Sequence, residues 1–431
     1  MLRLTLLSGR WQSGWPFLLG VLFVLSCTHN RPDPPTVPVG PASVEVSREY
    51  SFRTWRVGQD SGSSHIRFDW GDGQTSPWMF PVDTAECSHL WSRTGVYNVR
   101  AQVHDNRPEV SEWSDPLSVT VALPAYPHKL IRSVTVSDNS LSDALVLPQG
   151  DYVYVTDQGE GNVSVVRTSD MRLVGRVPFG GRSYEGQLAC SPDGRYVYGT
   201  CFRDGDRVGV VRAADQVVVD SLMLGGAATS IAVAPDGRRL YVTAEADGSF
   251  IVAVKLPEHI VEDTVCALGR RYVTSLTVAP DGSRLYAVEQ HDDERHVMAV
   301  RLSDTSVEWR VSAGAGEGPG RIVLNPTGSY LYAVDEEHVL VLETGAGAIV
   351  DSVPLQMCWN EAMSSDGSFI YVACSDTVGK GAVAIVRASD RQVVHVIQMP
   401  DGVEALDVAP SPDGENLYVA AGDGRLYVYG R

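Results

Sequence analysis

Ser230-Ile-Ala-Val-Ala-Pro-Asp-Gly-Arg-Arg-Leu-Tyr-Val-Thr-Ala244 is the stretch that decides the fold. Two short apolar runs flank Pro235-Asp236-Gly237. Asp-Gly favours a tight turn with positive φ, and such a turn joins neighbouring antiparallel strands. The signature recurs on both sides. It reads Pro148-Gln-Gly150 with Tyr152-Val-Tyr-Val155, and Pro192-Asp-Gly194 with Tyr196-Val-Tyr198. Downstream it reads Pro280-Asp-Gly282 with Leu285-Tyr-Ala287, and Pro326-Thr-Gly328 with Leu331-Tyr-Ala333. Ser365-Asp-Gly367 with Ile370-Tyr-Val372 and Pro412-Asp-Gly414 with Leu417-Tyr-Val419 complete the series. Successive glycines lie 44, 43, 45, 46, 39 and 47 residues apart, a mean of 44. The third copy divides into four strands, at 230–235, 239–244, 250–255 and 260–267. No copy carries the 3.6-residue apolar period of a helical repeat. One four-stranded unit cannot bury both of its faces, so units of this period stack around an axis. The last copy ends after three strands, and residues 129–136 are placed to supply the fourth. The expectation is a seven-bladed β-propeller over residues 128–431 with no open edge.

The repeat resembles the YVTN family of β-propellers, through Tyr152-Val-Tyr-Val-Thr-Asp157 and Leu240-Tyr-Val-Thr-Ala244. The resemblance implies a bacterial or archaeal surface or periplasmic protein. It leaves the role open, because propellers host many unrelated functions.

Upstream, residues 43–122 read as short alternating strands with Gly-rich turns, the pattern of an antiparallel β-sandwich. Asp69-Trp-Gly-Asp-Gly73 and the stretch from His89 to Asp105 resemble the PKD family of immunoglobulin-like modules, with Trp91 where that family has Tyr. The fold class is therefore all-β: an immunoglobulin-like, PKD-type sandwich followed by the propeller. The resemblance implies a spacer or binding module. Asp69 and Asp72 read as caps of a tight turn, with a cation contact as the alternative.

Residues 27–42 hold five prolines, an extended solvated tether. Residues 1–26 read as an export signal. Arg3 and Arg10 flank an apolar run too short for a comfortable membrane span, and the segment ends in Val24-Leu-Ser-Cys27. This end resembles the bacterial lipobox, which implies that Cys27 is lipidated and anchors the protein on the periplasmic side of the outer membrane or at the cell surface.

The 431 residues are 44% hydrophobic and 20% charged, which excludes a disordered or fibrous chain. The net charge of −18 repels phosphate, so no nucleic-acid partner is expected. Lysines number three (Lys129, Lys255 and Lys380) against 32 arginines, which form no patch.

Loops at one mouth of a propeller converge, and that mouth is the candidate ligand site. Aligning the copies sets Asp143, Gln187, Ser230, Ser275, Arg321, Asn360 and Ala405 at the entrance of the inner strands. Glu185, Tyr272, Trp359, Glu361 and Glu404 are their neighbours. Loops on the same face carry acids, among them Asp157, Glu160, Asp204, Asp206, Asp247, Glu289, Asp292, Asp293, Glu294, Glu336, Glu337 and Asp423. They form a solvated rim that would suit a basic partner. His291 and His296 stand five residues apart with no third histidine nearby, so no metal is expected. No phosphate loop, nucleophile elbow, Cys-x-x-Cys or haem-attachment motif is present, so no cofactor is expected. Counting about the turn at Asp366-Gly367 sets Cys358 opposite Cys374, a candidate cross-strand disulfide.

These features lead to an exported, lipid-anchored, non-catalytic binding or scaffold protein. Its propeller face would meet a protein or small ligand of unassigned identity. The alternative is a propeller enzyme, lactonase-like or a cofactor-dependent dehydrogenase, using Glu185, Arg321, Glu361 and Glu404 at the channel mouth.

Overall fold

The structure, a computed structural model, describes residues 31–46, 49–57, 64–80, 84–104, 109–122, 126–159, 161–178, 186–201, 207–269, 271–291, 294–315, 320–376 and 378–431. The export signal, Cys27, Glu160, Glu185, Asp204, Asp206, Asp292 and Asp293 lie outside the described residues. Among the described residues every regular element is a strand, and no helix is long and apolar enough to cross a membrane. The chain divides into two compact units, Met1–Leu123 and Pro124–Arg431.

The first unit holds a four-stranded sheet in the order Ser43–Glu45, Leu117–Ala122, Gly95–His104, His65–Asp69, and a two-stranded sheet of Tyr50–Trp55 with Thr84–His89. Alternation sends Phe52, Phe68, Val99, Ala101, Val119 and Val121 into one cluster with Trp70 and Trp91. Trp91 is fully buried, and its Nε1–H donates to the Trp70 carbonyl at 3.2 Å. The Asp69–Gly73 turn is built by its acids. Asp69 accepts from the Gly71 amide and Asp72 from the Gln74 amide, each at 3.0 Å. Gly71 has φ +77°, and a Cβ there would lie 2.8 Å from the Asn98 nitrogen, so this position requires glycine. The remaining carboxylate oxygens pair with Arg100 at 2.8 Å and His89 at 2.9 Å. Both aspartates thus serve the turn.

The second unit consists of seven four-stranded sheets. Its turns follow the repeat. Gly150, Gly194, Gly237, Gly282, Gly328, Gly367 and Gly414 all have φ between 67° and 75°. Where the preceding residue is Asp, its side chain caps the turn, as Asp236 does for the Arg238 amide at 2.9 Å. The repeat tyrosines Tyr154, Tyr198, Tyr241, Tyr286, Tyr332, Tyr371 and Tyr418 are all buried. Each junction between successive sheets has its own apolar cluster. One of these clusters joins the last sheet to the first, with Tyr418, Ala420, Leu426 and Val428 against Leu141, Val153 and Val155.

Lys129–Thr135 completes the last sheet by pairing antiparallel to Arg425–Gly430, with Leu426 opposite Val134. The innermost strand of every sheet touches that of the next, and Ala405–Pro410 touches Leu141–Val146. The unit is therefore a closed ring, the arrangement of a β-propeller. Stacking buries the faces of each sheet, and the joint between first and last strand covers the edge of Arg425–Gly430.

Candidate functional site

The axis of the ring is lined by one residue from, or immediately before, each inner strand, seven positions before the turn glycine. Pairing of Val146 with Val153, Val278 with Leu285, Met363 with Ile370 and Pro410 with Leu417 sets a common register. At that register stand Asp143, Gln187, Ser230, Ser275, Arg321, Asn360 and Asp407. The seventh residue is a correction. The sequence alignment set Ala405 there, but Ala405 lies two residues nearer the strand's start, fully buried. Ala405 is the counterpart of Leu141: Ala405 pairs with Ala421 as Leu141 pairs with Asp157, each two residues ahead of the axial aspartate. Counting back from Gly414 finds Asp407.

Most of these side chains hold sheet to sheet. Asp143, on the first sheet, accepts from the Leu188 amide of the second at 2.6 Å. Asp407, on the seventh, accepts from the Ala144 amide of the first at 2.7 Å. The Ser275 hydroxyl accepts from the Ile322 amide at 3.2 Å, and Asn360 Nδ2 donates to the Leu406 carbonyl at 2.7 Å. Ser230 donates to Gln187 Oε1 at 2.8 Å. Two long side chains reach beyond a neighbour. Arg321 Nη2 on the fifth sheet meets Asp143 Oδ1 on the first at 2.7 Å, and Gln187 Nε2 on the second meets the Thr274 carbonyl on the fourth at 2.8 Å.

The charges at the axis are unbalanced. Asp143, Asp407 and Glu361 are buried, with Arg321 as their counter-charge. Burial opposes the Arg321 charge, but Asp143, Asp407 and Glu361 outweigh it and hold its pKa above the usual value. Burial, with Asp143 beside it, pushes Asp407 well above the carboxylate range against the pull of Arg321. Burial likewise pushes Glu361 up to about 8, with Arg321 lowering it and Asp407 raising it.

Removing the cation leaves acids facing one another in a buried space. Arg321→Met is expected to destabilise the protein by about 3 kcal/mol, the usual cost of stripping one partner from a buried pair. Adding Asp143→Asn restores part of that loss. Urea denaturation of the two single variants and the double variant checks the coupling.

The other sequence candidates do not join this cluster. Tyr272 is 60% exposed, Glu404 is exposed and Trp359 is half-buried. Cys358 and Cys374 share one apolar cluster but are two free thiols. Gln356 pairs with Ser375 and Asn360 with Ala373, so residues 357–359 bulge opposite Cys374 where a regular hairpin would set one residue. Burial pushes the Cys374 thiol up to about 11 and the Cys358 thiol higher still. Several rim acids are turn caps, as Asp157 is for the Gly159 amide and Asp423 for the Arg425 amide. Glu289 is buried and paired with Arg271 and Arg310. Among the described residues no three His, Cys, Asp or Glu side chains are placed to hold a metal ion.

Two clefts lie away from the axis. One of about 350 Å³ is lined by Arg239, Tyr241, Arg284, Arg301 and Glu308, and its arginines are paired with Glu262 and Glu308. The other, of about 550 Å³, lies in the first unit beside Asn98, Arg100, Glu112 and Trp113.

No family model matches the chain, and no curated protein matches it. Among solved structures it is similar to "Kuenenia stuttgartiensis Hydrazine Synthase", with a TM-score of 0.58 and 18% identity over 69% of this chain and 97% of that chain. A likeness at that identity concerns the fold alone: an all-β chain of repeated four-stranded sheets, as in a β-propeller.

Proposed function

We propose that the protein is an exported, lipid-anchored binding protein. In this reading Cys27 carries the lipid, a PKD-like module acts as spacer, and a YVTN-like propeller presents its acidic rim to a basic protein surface. The observation that carries the reading is where uncommitted charge lies. Asp143, Arg321, Asn360 and Asp407 are spent on holding the ring together. The exposed Asp247, Glu294, Glu336, Glu337 and Glu404 have no ion pair among the described residues. An enzyme would want Arg321, Glu361 and Glu404 together, and Glu404 stands apart on the exposed rim.

The test uses the full chain in a bacterial host. A fatty-acid probe is expected to label the wild type and not Cys27→Ala. A photo-crosslinker at Glu336 is expected to give a discrete protein adduct that Glu337→Lys weakens, while one at Ile349 on an outer strand gives none. Unlabelled Cys27 overturns the anchor. A Glu336 adduct pattern identical to that of Ile349 overturns the interaction face. Turnover in a lactone-hydrolysis screen, lost in Arg321→Ala, would favour the enzyme instead.

A further inference from the structure

Glu361 occupies a position that is aliphatic in every other sheet. Six residues before the turn glycine stand Ala144, Leu188, Ile231, Leu276, Ile322 and Val408. An acid in such a place gains nothing for packing and carries a desolvation cost. Both of its carboxyl oxygens are buried without a hydrogen-bond partner, and so is the Oδ1 of the adjacent Asn360. Glu361's own backbone amide leans toward the carboxyl but lies outside hydrogen-bond geometry. Each residue is only 7% exposed. Buried polar atoms almost always have partners, so three orphans on neighbouring residues call for one.

The chemistry of the missing partner follows from what the site lacks. All three orphans are acceptors when Glu361 is ionised. The one cation nearby, Arg321, is committed to Asp143. Arg321 is balanced by Asp143 and burial keeps Asp407 protonated, so an ionised Glu361 stands uncompensated and the space favours a positive guest. The Arg321 and Gln187 bridges cross the ring interior, so the guest is small. A metal ion would want more hard ligands than these residues offer, and no three-ligand group is present among the described residues. Three N–H donors would satisfy three acceptors.

We propose that the axis of the ring binds a small N–H-donating cation, ammonium or a primary alkylammonium ion, against Glu361 and Asn360. This goes beyond the partner reading, since it concerns the interior and not the rim. Glu361 must be ionised to hold the cation, so its proton passes to solvent as the guest enters. The charged and titratable groups facing it are Arg321, Asp407 and Cys358, with Asp143 behind Arg321. Burial keeps the Cys358 thiol neutral throughout the working range. Binding therefore tightens as pH rises toward 8.

The experiment titrates the full chain with ammonium chloride and with methylammonium chloride, following heat and thermal midpoint. Potassium and tetramethylammonium chlorides at equal ionic strength are the controls, since both are cations without N–H donors. Saturable binding of ammonium or methylammonium is expected, with neither control competing. Affinity should rise about tenfold per pH unit between pH 6 and 8, as one proton is released. Glu361→Gln keeps the shape and removes the charge, and should weaken binding at least tenfold. Glu361→Leu copies the other sheets and should abolish binding. Glu258→Gln, on an exposed acid paired with Lys255, should leave it unchanged. Absence of saturable binding overturns the proposal. So does equal binding of potassium, tighter binding of calcium, or undiminished binding in both Glu361 variants.

Discussion

A chain starting at Asn139 is expected to aggregate, while one starting at Tyr126 folds. The difference is the closing strand Lys129–Thr135. It forms six register pairs with Arg425–Gly430, and the flanking amides of His128 and Val136 add bonds to Gly430 and Gly424. At about 1 kcal/mol net per hydrogen bond, the ladder is worth several kcal/mol. Val136 is fully buried, and Val134 packs on the cluster that joins last sheet to first. That sum is comparable with the 5–15 kcal/mol or so that holds a typical domain together. The loss also exposes a strand rich in Leu426, Tyr427, Val428 and Tyr429, a template for pairing between molecules. Rescue is the sharper half of the test. Grafting residues 129–136 behind Arg431 through a two-residue Asn-Gly turn rebuilds the same antiparallel pair from the other end of the chain. Size-exclusion profiles and urea midpoints of the three chains decide it. If the Asn139 chain is monomeric and as stable as the Tyr126 chain, the closing strand is dispensable.

The second large effect is a dependence on pH. In the folded protein the Glu361 carboxyl titrates near 8, because burial disfavours its charge. In the unfolded chain it titrates near the ordinary 4.5. Between these values the folded state keeps a proton that the unfolded state has lost, so stability falls as pH rises. The slope is about 1.4 kcal/mol per pH unit, giving a ceiling of about 5 kcal/mol by pH 8. Below 4.5 the penalty is absent, and above 8 it is constant. Other acids titrate as well, so the quantity to measure is the difference between wild type and Glu361→Gln in amine-free buffer. That difference should be near zero at pH 5 and favour the variant by several kcal/mol at pH 8. A gap that does not widen between those pH values would falsify the assignment of a buried, proton-holding Glu361.

Most of the fold was legible in local chemistry. The seven turns announce themselves because Gly, in five of them after Asp, answers a backbone demand that few residues meet, and the buried Tyr follows at a fixed distance. The unfinished last unit pointed to residues 129–136 by counting strands. What escaped were features set by the ring as a whole. Which side chain reaches which sheet, as Arg321 reaches Asp143, depends on diameter and curvature, and no local pattern encodes these. Asp407 is within reach of the sequence, since a count of seven back from each turn glycine finds it, whereas Ala405 answers to Leu141. The bulge at 357–359 defeated the arithmetic that set Cys358 against Cys374 in a regular hairpin. In the sequence Glu361 stands as a neighbour of the polar ring and as a candidate group of the enzyme alternative. Its isolation shows only when the adjacent column, Ala144 to Val408, is read down all seven sheets.

The two bridges across the ring interior alter how the ring responds to load. A ring joined only between neighbours can flatten into an ellipse while each joint bends a little. A chord fixes the distance between two points on the rim and blocks the flattening that would change it. Arg321 to Asp143 is one such chord and Gln187 to Thr274 is another, and they tie different pairs of sheets. The wheel therefore carries two spokes set in different directions, and a pull on one face is shared by sheets that do not touch.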